Sequence, residues 1–225
     1  MKFSTWGKLP IVINSTAGQT SQSRSRRSTR PSGDDRELAI LATAEQLLED
    51  RPLTEISVDY LAKSAGISRP TFYFYFASKE AVLLTLLDRV FNKANAALET
   101  LIKNRDNKRG NKWRTGINVF FETFGSHKAV TCAGQVTRDN TEVRKLWSTF
   151  MQKWISYTAA VIDAERKRGV APDTLPATEL ATALNLMNER ALFASFTAEQ
   201  PHVPESRVLD TLVHIWVSSI YNEIR

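Results

Sequence analysis

From Asp34 to the C terminus, apolar residues recur at helical spacing, and only short polar breaks interrupt them. The first run contains Leu38, Leu41, Ala42 and Leu48, which would share one face of a helix. No stretch alternates apolar and polar residues for long enough to predict a sheet. The sequence therefore predicts an all-α protein whose helices bury apolar stripes against one another.

Two short helices are predicted close together near the start of this region. Ser57 is a good N-cap for a helix over 58–65, and Gly66 can adopt the left-handed conformation that ends it. Ser68 caps the next helix, whose first turn tolerates Pro70 because its missing amide hydrogen would have no partner there. The three residues from Gly66 to Ser68 thus join two helices, as in a helix-turn-helix motif, whose second helix enters the major groove of DNA.

The second of these helices lies in a stretch without acids. No Asp or Glu occurs between Asp59 and Glu80, whereas three basic residues do: Lys63, Arg69 and Lys79. Such a stretch can approach phosphates without repulsion, which favours nucleic-acid binding.

The aromatic residues of this helix divide into two sets. Phe72 and Phe76 are four positions apart, so they share a face and are expected in the core. The remaining side chains point elsewhere and suit DNA. Thr71, Tyr73 and Tyr75 offer hydroxyls and rings for phosphate oxygens and thymine methyls, and Arg69 can reach a guanine edge.

The run from Ala65 to Glu80, AGISRPTFYFYFASKE, resembles the DNA-binding signature of the TetR family of transcriptional regulators. The resemblance implies three DNA-binding helices followed by a helical ligand-binding and dimerisation domain, about nine helices in all. It also implies which residues contact double-stranded operator DNA: Ser57, Arg69, Pro70, Thr71, Tyr73, Tyr75 and Lys79.

The net charge of +6 comes from the start of the chain. Six Lys and Arg precede the first acid, Asp34, and the other 24 basic residues balance 24 acids. Because this segment has no apolar period, we predict a disordered basic arm at 1–33, a DNA-binding domain at 34–80 and a ligand-binding and dimerisation domain at 81–225. The arm could bind DNA phosphates or could only solubilise the protein.

Aromatic residues are unusually frequent in the apolar stripes of the C-terminal region. One stripe contains Trp113, Ile117, Phe120 and Phe124, and a later one contains Trp147, Met151, Trp154, Thr158 and Val161. Core packing is the commoner role of such stripes, but Trp and Tyr carry polar groups that require partners and often line cavities. Asn185, Asn188 and Glu189 beside a further apolar stripe favour a cavity, because a buried amide is costly unless it is hydrogen-bonded.

A closer resemblance to one member of the TetR family is carried by residues 31–38, 113–125 and 184–190. It implies an elongated channel for an apolar small-molecule ligand, with Asn188 as its polar anchor, and a monooxygenase gene as the candidate target. The residues predicted to form this channel are Leu98, Leu101, Trp113, Gly116, Ile117, Phe120, Phe124, Trp147, Met151, Trp154, Tyr157, Thr158, Asn185, Asn188, Glu189, Phe193 and Trp216.

The last two predicted helices, over 177–198 and 204–221, have more apolar surface than one partner helix would cover. A homodimer through this pair is therefore expected. A two-fold protein requires a pseudo-palindromic operator, and ligand binding is expected to release a repressor from it.

Other classes of protein fit the sequence less well. A di-iron bundle enzyme needs paired Glu-x-x-His motifs, but the spacing occurs once, from Glu199 to His202, and contains Pro201. We therefore expect no enzyme, metal or cofactor. An all-α lipid or small-molecule carrier without a DNA role would explain the stripes but not the acid-free helix. A single cysteine, Cys132, and the lack of long apolar runs favour a cytoplasmic protein that is nucleoid-associated when bound to DNA and has no membrane contact.

Overall fold

The computed structural model describes residues 33–103 and 109–222. Within these ranges the chain forms nine α-helices and a 3₁₀ turn, and none of the described residues lies in a strand. The predicted all-α class is confirmed, whereas the predicted arm lies outside the described residues except for Gly33. The elements are α1 (Gly33–Asp50), the 3₁₀ turn (Leu53–Glu55), α2 (Val58–Ser64), α3 (Arg69–Tyr75), α4 (Lys79–Lys103), α5 (Arg109–Ser126), α6 (Lys128–Val136), α7 (Thr141–Lys167), α8 (Ala177–Thr197) and α9 (Glu205–Tyr221).

Local capping sets the ends of the helix-turn-helix. The Ser57 hydroxyl accepts a hydrogen bond from the amide of Tyr60 (3.1 Å), and the Ser68 hydroxyl accepts one from the amide of Thr71 (3.3 Å). Gly66 has φ +70°, which is the left-handed conformation that ends α2. Both predicted N-caps and the predicted turn are confirmed.

The core beneath these helices holds the face of α3 that carries Phe72 and Phe76. Their side chains are 0% and 6% exposed and belong to the same buried core as Ile40 of α1 and Leu61 of α2. Burying each phenylalanine contributes about 1.5–3 kcal/mol. The core assignment of these two residues is confirmed.

Helix α4 joins the first three helices to the rest of the molecule. Its 25 residues span roughly 37 Å, and it packs against α1, α5, α6 and α7. The predicted stripe along it is buried from Leu83 to Leu98. One helix therefore contacts both α1 and the later helices of the chain.

Helix α6 approaches α4 closely at Gly134. A Cβ atom at this position would lie 2.6 Å from Cδ2 of Leu87 on α4, closer than van der Waals contact allows. The absent side chain at Gly134 therefore sets the distance between the two helices.

Helices α5, α7, α8 and α9 form a bundle, and its aromatic core also includes Phe91 of α4. The rings of Phe91 and Phe150 stack with centroids 4.4 Å apart, and Phe120 meets Trp154 edge to face at 4.1 Å. The end of α8 differs slightly from the prediction because Ala198, with φ 52°, is its left-handed cap. None of the helices in the described ranges is long and apolar enough to span a bilayer.

Candidate functional site: a helix-turn-helix surface and an aromatic cavity

The outer face of α3 presents Arg69 in a defined position. Its guanidinium donates to Asp59 Oδ2 (3.1 Å) and to the Tyr73 hydroxyl (3.4 Å), and it lies 5.6 Å from the centroid of the Tyr73 ring. The hydrogen bond to Tyr73 and the negative charge of Asp59 raise the pKa of Arg69, so its positive charge is constant. The stretch that lacks acids in the sequence thus acquires one in the structure, because Asp59 of α2 folds beside Arg69.

The other residues predicted to contact DNA differ in exposure. Tyr73 is 46% exposed, and Ser57 and Pro70 are also exposed, whereas Thr71 is half-buried with its hydroxyl 2.8 Å from that of Ser68. The exposed members of the predicted set are thus Ser57, Arg69, Pro70 and Tyr73.

Tyr75 and Lys79 make contacts within the protein. Tyr75 is half-buried, with its hydroxyl beside Gly33 at the start of α1. The Lys79 ammonium donates to the carbonyl oxygens of Leu53 (2.7 Å) and Thr54 (3.3 Å). These two bonds use two of the three donors of the ammonium.

Sequence reasoning missed Phe74, whose side chain is 82% exposed on α3. The signal was present, because Phe74 is two positions from both Phe72 and Phe76 and so lies opposite the buried face. A phenyl ring on this face can contact a thymine methyl.

The C-terminal bundle contains a cavity of about 70 Å³ between α4, α5, α7, α8 and α9. Sequence reasoning missed two lining residues, Val161 and Lys112. The stripe along α7 included Val161, but no pattern signals a basic residue before a tryptophan. The predicted residues that the structure brings together here are Leu98, Leu101, Trp113, Gly116, Ile117, Phe120, Trp154, Tyr157, Thr158, Asn185, Asn188 and Trp216.

Two asparagines of α8 contribute hydrogen-bonding groups to the cavity wall. Asn185 donates to the Thr158 hydroxyl (3.2 Å) and to the carbonyl oxygen of its own helix at Ala181 (2.9 Å). The side-chain oxygen of Asn188 accepts the indole N–H of Trp216 at 2.9 Å. The cavity is therefore apolar with fixed hydrogen-bonding groups.

The cavity has room for a side chain at Gly116, and its wall includes a partly buried phenol. A Cβ atom at Gly116 would meet nothing within 4 Å, so a side chain there would extend into open space. Burial raises the pKa of Tyr157, which keeps its phenol neutral.

A second, smaller cavity of about 20 Å³ adjoins the first. Phe120 belongs to both walls, and its ring meets that of Trp154 edge to face. Predicted residues that line only the smaller cavity are Phe124, Trp147, Glu189 and Phe193. Met151 is 5% exposed in the core and lines neither cavity.

Glu189 ties the smaller cavity to α6. Its carboxylate accepts from Gln135 Nε2 (2.9 Å) and pairs with Arg138 (2.7 Å). Thr131 and Gln135 of α6 line the same cavity, and α6 rests on α4 at Gly134. The position of α6 is thus coupled to the cavity wall.

Known proteins match both halves of the chain. The family description "Bacterial regulatory proteins, tetR family" matches residues 40–86, and "Transcriptional regulator EthR, C-terminal domain" matches residues 113–222. HTH-type transcriptional regulator EthR of Mycobacterium tuberculosis is 77% identical over 216 residues, which cover 95% of this chain and 100% of that protein. The chain belongs to the TetR family of transcriptional regulators.

Other relatives of this TetR-family chain agree in sequence and in fold. HTH-type transcriptional regulator EthR of Mycolicibacterium smegmatis is 54% identical over 210 residues, or 93% of this chain and 97% of the relative. The fatty acid degradation regulator FadR from Bacillus halodurans superposes with a TM-score of 0.65 at 16% identity, over 81% of this chain and 94% of that one. The chain is thus a helix-turn-helix transcriptional regulator and not an enzyme.

Proposed function

We propose that this TetR-family regulator is a repressor that binds a pseudo-palindromic operator as a homodimer and leaves it when an apolar small molecule fills the aromatic cavity. The placement of α4 carries the proposal: Leu98 lines the cavity, and the same helix packs against α1 of the DNA-binding helices. A ligand that displaces α4 would therefore change the spacing of the two α3 helices in a dimer.

The proposed DNA surface is centred on α3. Arg69, Tyr73 and Phe74 project from its exposed face and would contact bases in the major groove. Contacts to phosphates and to the groove edge are proposed for the remaining residues of the predicted set, Ser57, Pro70, Thr71, Tyr75 and Lys79. The segment at 1–33 would add sequence-independent contacts through its six basic residues.

The proposed dimer interface is the outer face of α8 and α9. Leu186 is 51% exposed on α8, and Met187 and Ala191 beside it are half-buried. Val213 and Val217 of α9 are half-buried one turn apart. A second copy of this pair would cover these apolar side chains in a two-fold arrangement.

The domain division follows the same logic. We assign operator binding to residues 34–80, and ligand binding and dimerisation to residues 81–225. A regulator of this kind works on chromosomal DNA, which places it in the bacterial cytoplasm, in the nucleoid when bound.

The operator can be found by selecting random-sequence DNA with the full-length protein. We expect enrichment of an inverted repeat whose half-sites are centred about 34 Å, or a multiple of that, apart along the duplex. Arg69→Ala should lose the enrichment because Arg69 would read a base. Selection of no repeat, or of a single unrepeated site, contradicts the proposed two-fold repressor.

Arg114→Ala is the matched control for Arg69→Ala. Arg114 of α5 is also a half-exposed arginine that pairs with an aspartate of another helix, Asp210, at 2.6 Å. It lies outside the proposed DNA surface, so its loss should leave the enrichment unchanged.

A further inference from the structure

His127 lies where two helices that line the cavities meet. Helix α5 ends at Ser126 and α6 begins at Lys128, so His127 is the residue between them. Phe124 before this junction and Thr131 after it both line the smaller cavity. The Thr131 hydroxyl lies within hydrogen-bonding distance of the carbonyl oxygens of His127 (3.0 Å) and Phe124 (3.2 Å). The backbone at His127 is therefore held by a residue of the cavity wall.

The side chain of His127 joins two further helices. Its Nδ1 lies 2.5 Å from Glu45 Oε1 of α1, and its Nε2 lies 2.9 Å from the ammonium of Lys93 on α4. Because an ammonium can only donate, Nε2 accepts, and the neutral imidazole carries its hydrogen on Nδ1, which donates to Glu45. We call Glu45, His127 and Lys93 the histidine bridge. It connects α1 of the DNA-binding helices to α4 and to the start of α6.

The histidine bridge crosses a groove between α1 and α4. Its three residues line this groove together with apolar residues of both helices, such as Leu38 and Val90. The side chains of His127 and Glu45 are 19% and 34% exposed, so the bond between them is partly shielded from water. Hydrogen bonds to an ionised group are stronger than neutral ones, and more so away from water. The bridge is therefore placed to fix α1 relative to α4 where the groove separates them.

The histidine bridge requires a neutral imidazole. An imidazolium has two donors and no acceptor, so the Lys93 ammonium would lose its bond to Nε2 and be repelled, while Glu45 would keep its bond to Nδ1. Histidine is the side chain that ordinarily changes charge between about pH 5 and 8. The charged groups around it are Glu45, Arg89 and Lys93 in the groove and, next in sequence, Lys128, which pairs with Glu205 of α9 (3.6 Å). Acid should therefore break the bond to α4 and leave the bond to α1.

We propose that His127 is a positioning residue that fixes the DNA-binding helices against α4 and α6, and that operator affinity depends on its bonds to both Glu45 and Lys93. The inference rests on the proposed function, which supplies operator binding as a readout. Two α3 helices held at one spacing lose less conformational freedom on binding two half-sites than two that can move. Loss of the bond to Lys93 should therefore lower operator affinity.

Two substitutions of His127 test the histidine bridge at pH 7.5, with the inverted-repeat DNA recovered by selection as the probe. Glutamine offers one acceptor and one donor, so His127→Gln should keep operator affinity within about twofold of the wild-type value. Leucine can make neither bond, so His127→Leu should lower the affinity about fivefold or more. Thermal unfolding checks that both variants are folded. Equal affinities of the two folded variants overturn the inference.

A pH profile separates positioning by His127 from a merely structural role. Between pH 7.5 and 5.5, the operator affinity of the wild-type protein should fall about fivefold or more beyond any fall in His127→Gln, whose amide does not titrate. His214→Gln is the matched control, because His214 is exposed on α9 and lies outside the bridge. This variant should show the wild-type fall. Identical profiles of wild type and His127→Gln contradict the inference, even if His127→Leu does not fold.

Lys93→Met removes the bond to α4 alone. At pH 7.5 this variant should bind operator as weakly as the wild-type protein does at pH 5.5, and its affinity should fall little further in acid. A full wild-type response to pH in folded Lys93→Met would show that protonation does not act through Lys93. That result would overturn the role assigned to the bridge.

Amide hydrogen exchange distinguishes failure of this inference from failure of the proposed function. In the free protein at pH 7.5, residues 34–50 should exchange faster in His127→Leu than in His127→Gln, because α1 is held less firmly. If selection recovers no inverted repeat, the proposed function fails, and exchange decides the inference: faster exchange supports it and equal exchange overturns it. If the repeat is bound but neither affinity nor exchange depends on His127, the inference fails and the proposed function stands.

Discussion

At the scale of single residues, the two faces of α3 differ in role: one is buried in the core, and the other is exposed to a partner. Tyr73 contacts Phe72 edge to face at 5.6 Å but remains 46% exposed, and Phe74 is 82% exposed. Exposed aromatic rings contribute little to the core, so their presence at one surface is better explained by a partner. Phe72, in contrast, is 0% exposed.

Substitutions on α3 should therefore separate affinity from stability. Tyr73→Ala and Phe74→Ala are each expected to cost about 1–3 kcal/mol of operator affinity, measured by fluorescence anisotropy, with little change in thermal stability. Phe72→Ala should instead destabilise the fold by about 3–5 kcal/mol. Comparable destabilisation by Tyr73→Ala would make Tyr73 a core residue and contradict the proposed surface.

The thiol of Cys132 gives a pH-dependent prediction. Burial raises its pKa, an effect that the charge of Lys128 partly opposes. Alkylation by iodoacetamide at pH 8 should therefore be slower in the native protein than in urea, since only the thiolate reacts. Equal rates in both states would contradict the effect of burial.

The same shift in pKa predicts how stability depends on pH. The unfolded chain loses the Cys132 proton at a lower pH than the folded chain, so the contribution to stability is complete below the unfolded pKa. It is lost as pH rises through the folded pKa. Denaturant titrations across this range measure the fall.

Sequence reasoning succeeded at residues whose roles depend on neighbours along the chain. Ser57, Gly66 and Ser68 act within one helical turn, and the spacing of Phe72 and Phe76 specifies a face. Lys112 and Asp59 were missed because their roles depend on tertiary partners. Lys112 pairs with Glu165 of another helix, and Asp59 pairs with Arg69. Neither pair can be read from spacing along the chain.

At the scale of helices, the contact of α6 with α4 depends on a glycine. Gly134→Ala should destabilise the protein by about 1–3 kcal/mol in urea unfolding, because Leu87 must move to admit the new methyl group. Gly125→Ala on α5 is the matched control, since its Cβ would lie 3.5 Å from Phe196, at ordinary contact distance. Equal stability of the two variants would show that α6 can move away from α4 at little cost, which contradicts a tight contact at Gly134.

The pairing of α8 and α9 with a second copy is tested at Leu186. Leu186→Glu should shift the protein from dimer to monomer in sedimentation velocity, because a charge would be buried at the interface. Leu175→Glu is the control: Leu175 is 57% exposed in the loop before α8. A fully dimeric Leu186→Glu protein would remove this face from the interface.

The positions of the helices could be predicted from periodicity and capping residues. The shape of the space between them could not. The aromatic stripes of α5 and α7 predict that these rings meet, and they do. Whether they leave a space depends on how the rings pack in three dimensions. The predicted channel residues line two adjoining spaces that share Phe120, and Met151 lies in the core instead.

At the scale of the whole molecule, regulation requires that ligand binding in the cavity and operator binding oppose each other. The cavity touches α4, α6 adjoins it, and both helices contact α1. If a ligand lowers the affinity of the protein for operator by some factor, operator must lower the affinity for the ligand by the same factor. This factor is typically about 5- to 150-fold.

The operator affinity of Gly116→Trp tests this coupling most directly. Because a side chain at Gly116 extends into open space in the larger cavity, the indole should occupy the place of a ligand. We predict a folded dimer whose operator affinity falls by about 5- to 150-fold, the usual range of allosteric coupling. A folded dimeric variant that binds operator with wild-type affinity would show that filling the cavity does not control DNA binding.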